Sequence, residues 1–290
     1  MYTSTHHLPA ALQQKLRQAL QLMQAQTQAE KILLLSLPSS LKDTSESPQP
    51  YLDRLNFLIL LPDAQNQQRK ELQEKLEESC RRAGIPINAL VHTTAQFRQM
   101  RQLNPYLFPE LQKEGILLYD SGTTSLEESV SCPLPAATMA RQHFIRWFSL
   151  SRAFLRSAQF SLFRKELRLS AFLLHQSLEH SYTAIHLVFT GYRPTTHNLD
   201  KMRRYTSRFS GALASVFPRH TPEEVHLFQL LKQAYCQGRY AAEFPITERE
   251  CHILLSRSRK LLLMARCICQ RQILSLRKTH QSFTPEPLLP

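Results

Sequence analysis

The hydrophobic periodicity of this 290-residue chain changes character near residue 138, and that change limits what it can fold into. Before it, short apolar runs of strand length alternate with amphipathic stretches. "KILLLSL" (31–37), "LNFLILL" (55–61), "INALVHT" (87–93) and "ILLYD" (116–120) read as four strands. Helices are expected over 9–30, with Leu12, Leu16, Leu20 and Met23 on one face, and over 66–83, where Gly84 supplies a helix-ending residue. "TAQFRQMRQ" starts another helix, and Asn104-Pro105 turns the chain. After residue 138 only helical spacing remains. Helices are expected over 138–163, 166–189 and 198–216, then from Pro222 and from Glu248 to about 278. Thr221 with Glu224, and Thr247 with Glu250, spell capping boxes at the last two starts.

The expected class is α+β: an α/β domain over 1–120, a small polar linker over 121–137, an all-α bundle over 138–280 and a flexible tail over 281–290. No basic start followed by an apolar run opens the chain, and "LNFLILL" is too short to span a bilayer. A soluble, cytoplasmic protein without membrane contact is expected. The six cysteines form no CxxC pair, which favours reduced, buried thiols over zinc. The six glycines form neither GxGxxG nor a Walker loop, so the usual phosphate cradles are excluded, and no cofactor is expected.

Charge separates the halves. Residues 1–128 hold 13 Lys+Arg against 14 Asp+Glu, whereas 129–290 hold 23 against 9. Eighteen of those 23 cations are arginine. The excess of +13 therefore belongs to the helical half, which suits an anionic partner such as a nucleotide or RNA.

Helix 166–189 is rich in histidine. Arg168, His175, Glu179, Tyr182 and His186 fall on one face, and His180 points elsewhere. "HQSLEH" is HxxxEH, and histidines five apart diverge too far to share an ion, so no metal site is expected. A polar stripe on a helix–helix interface is the simplest reading. The turn "GYRPTTHNLDKMRR" gathers Arg193, His197, Lys201, Arg203 and Arg204 beside the start of the next helix. With Asn198 or Thr196 as N-cap, its free N–H groups make this turn the first candidate for anion binding. The arginines of helices 138–163 and 248–278 come next.

Two segments carry a family resemblance. "RLSAFLLHQSLEHSYTAIHLVFTGYRPTTHNLDKM" and "GRYAAEFPITERE" resemble the HEPN domain, a bundle of about five helices that commonly dimerises. "INALVHTTAQFRQMRQLNPYLFPELQKEGILLYDS" is similar to the minimal nucleotidyltransferase fold that often accompanies HEPN. Active members of that second family hold metal with an Asp-x-Asp strand and a third acid, after a Gly-Ser loop. Here "SLPSSLKD" replaces the loop, Arg54-Leu55-Asn56 and Asn88 stand at the acid positions, and Asp53 is one residue off register. The resemblance therefore implies a domain without catalysis.

Some HEPN domains are ribonucleases with R-x4–6-H. Arg168-x6-His175 has that spacing, but Leu169 follows the arginine where a polar residue is usual. Arg193-x3-His197 is one residue short, and Arg249-x2-His252 and Arg271-x8-His280 also miss. The leading expectation is thus a non-catalytic nucleotide- or nucleic-acid-binding protein, regulatory or toxin–antitoxin-like, dimerising through helix 166–189. A HEPN ribonuclease and a dimerising interaction module are the alternatives.

Overall fold

Every residue of "LNFLILL" is buried, because the sheet it belongs to is covered on both faces. In the computed structural model of the chain the described residues are 5, 6, 8–36, 55–103, 115–123, 135–191, 193, 196–207, 209–240 and 244–281. Two compact units divide at Pro133 and Leu134.

The amino-terminal unit contains α1 (Ala10–Gln26), β1 (Lys31–Ser36), β2 (Leu55–Leu61), α2 (Arg69–Arg82), β3 (Ile87–Thr93), α3 (Thr94–Leu103) and β4 (Ile116–Asp120). The sheet order is β3-β2-β1-β4, with β2 and β3 parallel and β1 antiparallel to both its neighbours. Successive strand residues face opposite ways. Ile32, Leu34, Phe57, Ile59, Ile87 and Val91 therefore pack with Leu16 and Met23 of α1 and Leu76 of α2. Leu33, Leu35, Leu58 and Leu60 pack with Phe97 of α3 on the other face. Gly84, at φ +73°, ends the α2 segment in the left-handed region, as its position predicts.

The carboxy-terminal unit contains α4 (Ala136–Phe163), α5 (Leu167–Thr190), α6 (Leu199–Ser207), a 3-10 turn (Gly211–Val216), α7 (Pro222–Gln233), the short α8 (Gln237–Tyr240) and α9 (Glu248–Gln281). Serines let α4 and α5 approach closely. Ser151 Oγ donates to the Ser177 carbonyl at 2.7 Å, and Ser177 Oγ returns the bond to the Ser151 carbonyl at 2.9 Å. Ser181 Oγ lies 2.7 Å from Ser151 Oγ, so three buried hydroxyls are satisfied across one helix pair. Gly191, at φ +66°, closes α5 with its N–H on the Leu187 carbonyl. Both capping boxes form. Thr221 exchanges bonds with Glu224, and Thr247 with Glu250.

Three expectations need correction. Helix 198–216 breaks after Ser207, because Ser210 adopts an extended conformation and Gly211 begins a separate 3-10 turn. The segment expected as linker ends early, since Ala136 and Ala137 already lie in α4 behind Pro135. The helix expected from residue 66 starts at Arg69, after a 3-10 turn over Asp63–Gln65. Asp53, Arg54, Asn104-Pro105 and the tail from 282 lie outside the described residues. No helix among those residues is long and apolar enough to cross a membrane.

Candidate functional site

α5 is the most enclosed helix of its unit, with α4, α6, α7, α8 and α9 all packed against it. His175, Glu179, Tyr182 and His186 are accordingly buried, and Arg168 sits half-buried at the helix start. The polar stripe is therefore an internal seam. Self-association through this helix is confined to what its neighbours leave open, chiefly Leu169 at its beginning.

The seam is organised around Glu179. His175 Nδ1 lies 3.0 Å from the Leu231 carbonyl, which can only accept, so Nδ1 carries the hydrogen. Nε2 then faces Glu179 Oε2 at 3.6 Å. The other carboxylate oxygen takes a 2.9 Å hydrogen bond from His197 Nδ1. Both imidazoles flank the Tyr235 ring, with centroids at 5.0 Å for His175 and 5.3 Å for His197. Arg239 lies over the same ring at 4.4 Å. Burial pushes the Glu179 carboxyl up, but the two histidines outweigh it and hold the group below its ordinary value. His197 alone of the three reaches solvent, its side chain 57% exposed.

The rest of the stripe is structural. His186 Nδ1 lies 3.0 Å from Thr190 Oγ1, and its ring meets the edges of Tyr205 and Phe209. Tyr182 is fully buried, and burial raises its hydroxyl pKa well above the usual phenol range. His180 lies off the stripe, as its spacing requires, between Trp147 and Phe154. Among the described residues no three His, Cys, Asp or Glu side chains converge as metal ligands.

Among the described residues of the turn after α5, several groups expected to meet an anion are already engaged within the fold. Asn198 Oδ1 already accepts the Asp200 N–H at 2.9 Å and the Lys201 N–H at 3.3 Å, so the start of α6 is capped from within. Asp200 adds a negative charge there, held by Arg219 and by Lys232 at 2.6 Å. Arg203 is 4% exposed and donates to the Ala214 carbonyl at 2.9 Å. Arg193 is exposed and lies over Trp147 at 4.4 Å, whereas Lys201 and Arg204 are half-buried. Arg203 is thus part of the core. Its replacement by alanine strands the Ala214 carbonyl and is expected to lower stability by about 2 kcal/mol in urea unfolding. Anion affinity of the folded variant should be unchanged, and a stable variant that loses anion binding would contradict this placement.

Tyr235, the Leu231 carbonyl and the Asp200–Arg219–Lys232 group are not signalled in the sequence. They reach the seam from separate segments, and no local spacing encodes that meeting. Two further helices carry runs of exposed cations. α4 carries Arg141, Arg146, Arg152 and Arg156, all exposed, and has no acid anywhere in its length. After Glu250, α9 carries Arg257, Arg259, Lys260, Arg266, Arg271, Arg277 and Lys278, again with no acid. All of these except Arg257 are exposed.

In the amino-terminal unit, Asn56 and Asn88 are in register on β2 and β3. Asn88 Nδ2 donates to Asn56 Oδ1 at 2.9 Å, and both side chains are buried. An amide pair therefore occupies the place where the nucleotidyltransferase resemblance puts two of its acids.

The HEPN domain family model matches residues 145–268. Among solved structures, the crystal structure of TT1696 from Thermus thermophilus is 22% identical, covering 46% of this chain and 97% of that one, at a TM-score of 0.30. No curated protein matches the chain. The matched residues begin in α4, take in the whole Glu179 seam and end in α9, so the helical unit of this chain carries a HEPN domain.

Proposed function

We propose that the helical unit binds nucleic acid, without chemistry, along the exposed faces of α4 and α9. The observation that carries this reading is the absence of any acid from α4, and from α9 after Glu250, while α4 presents arginines and α9 arginines and lysines to solvent. Surface cations in ordinary domains are interspersed with acids. A long single-sign face holds a field that a polyphosphate chain neutralises, releasing counterions. An Arg259→Ala, Arg266→Ala, Arg271→Ala variant is expected to bind RNA more weakly. Its log–log salt slope should be shallower by about 2 units, at roughly 0.7 per lost contact to a single strand. Anisotropy titrations across a salt series measure both quantities. Unchanged affinity and slope would remove α9 from the interface.

A ribonuclease reading has one observation behind it. Glu179 orients the exposed His197, as a carboxylate orients a catalytic imidazole, and Arg193 is exposed nearby in sequence. His175, the histidine with suitable motif spacing, is 1% exposed and cannot meet a substrate from solvent. RNA cleavage that disappears in His197→Ala would support this reading over the non-catalytic one.

For the amino-terminal unit we propose a nucleotidyltransferase-like domain without activity. The neutral Asn56–Asn88 pair supports it, because Mg²⁺ prefers carboxylate oxygen. Labelled ATP with Mg²⁺ and a range of acceptors should leave no labelled product.

A further inference from the structure

The basic face of α4 contains more than charge. On an α-helix Arg141, Ile145, Arg152, Arg156 and Phe163 fall within about 60° of one another, so they form one line roughly 33 Å long. Ile145 is 53% exposed and Phe163 is 80% exposed, and Phe160, at the edge of the same line, is 65% exposed. Neither phenylalanine ring meets another ring among the described residues. None of the four α4 arginines meets a carboxylate there. Arg164, directly after the helix, is exposed as well.

Aromatic rings held in water within reach of unneutralised guanidinium groups need a partner that has both flat apolar faces and negative charge. Duplex nucleic acid offers the charge, but its bases are already stacked. A second copy of this face offers rings, but it brings the same cations and no acid, so a two-fold contact would set like charges together. A single strand supplies both, with bases free to stack and phosphates spaced along the chain.

We propose that the end of α4, with Phe160 and Phe163 as stacking faces and Arg152, Arg156 and Arg164 as phosphate contacts, selects single-stranded over double-stranded nucleic acid. This rests on the nucleic-acid reading above and adds the form of the strand. Bases stack on the two rings while the backbone runs along the arginine line toward Arg141. The apolar side chain of Ile145 lies on the same path.

The test compares full-length protein binding to a short oligouridine and to an RNA duplex of equal length, at two salt concentrations. Native protein is expected to prefer the single strand by about tenfold. A Phe160→Leu, Phe163→Leu variant keeps apolar area but loses the flat rings. It should lose most of that preference while its salt slope stays unchanged. An Arg152→Ala, Arg156→Ala variant should show the reverse, with a shallower slope and the preference retained. Equal binding of both forms by native protein overturns this inference and leaves the nucleic-acid reading standing. A leucine variant that keeps full preference overturns it too, because the rings would then not be stacking. Binding of neither form at low salt removes the nucleic-acid reading and this inference together. Loss of a dimer in the leucine variant, seen by sedimentation, would reassign the rings to self-association and overturn the proposal.

Discussion

Replacing both Asn56 and Asn88 by aspartate is expected to cost the amino-terminal unit on the order of 4 kcal/mol at pH 7, enough to unfold a marginal domain. The two side chains are in register on parallel strands, buried, and joined by a 2.9 Å amide hydrogen bond. Two carboxylates in their place would lose the donor and set like charges against each other where water is scarce. The sign of the pH effect follows. Crowding raises at least one carboxyl pKa in the folded state, so the folded variant binds more protons than the unfolded chain just above the usual carboxylate range. Stability of the variant should therefore rise as pH falls from 7 toward about 4, opposite to most acid-sensitive folds. Urea unfolding at pH 7 and pH 5 measures this. A double variant as stable as the native chain at pH 7 would show that the pair is not shut away from water. If Mg²⁺ restores the lost stability, the new acids have rebuilt a cation site, and the nucleotidyltransferase reading gains support.

The second large effect belongs to Glu179. Its folded pKa is depressed, so it stabilises the fold above its unfolded value and loses that contribution as pH falls through the folded value. Glu179→Gln should cost about 2 kcal/mol at neutral pH, since the carboxylate is 9% exposed and two imidazoles face it. As pH falls through the depressed folded value, beneath the ordinary carboxylate range, the variant and native chain should converge, because the native carboxyl is then protonated too. A plot of unfolding free energy against pH then shows a smaller acid slope for the variant. Parallel curves would mean that Glu179 is not the group titrating in the acid limb. Glutamine can still accept from His197, so any remaining difference reports the missing charge opposite His175.

How much of this was legible in the sequence depended on whether the cause was local. The strand runs and the two capping boxes involve residues within one element, and each appeared where spacing placed it. The His175–Glu179–Tyr182–His186 face was likewise a matter of helical geometry. What the face packs against was not. Leu231, Tyr235 and His197 come from later segments, and only the folded bundle brings them to Glu179. The turn "GYRPTTHNLDKMRR" shows the same limit. Four cations close in sequence diverge once a helix begins, and Arg203 turned inward to a carbonyl eleven residues away. Composition marked the right half of the chain as basic, while solvent exposure decided which arginines remain available.

The reciprocal serine bonds between α4 and α5 carry a consequence for the order in which the chain acquires its shape. Ser151 and Ser177 are 26 residues apart, so the hairpin they close is short-range and has a small entropic penalty for closure. It can form while the ribosome is still adding residues. α9 completes the enclosure of α5, yet it is made after every other helix described, and its own Leu254, Leu261 and Ala265 are buried in the bundle. Nascent chains halted before Glu248 should thus hold a protease-resistant hairpin with an apolar flank still open. Chains released after Gln281 should bury that flank. Arrest during that interval is when this protein is most exposed to aggregation and most in need of a chaperone.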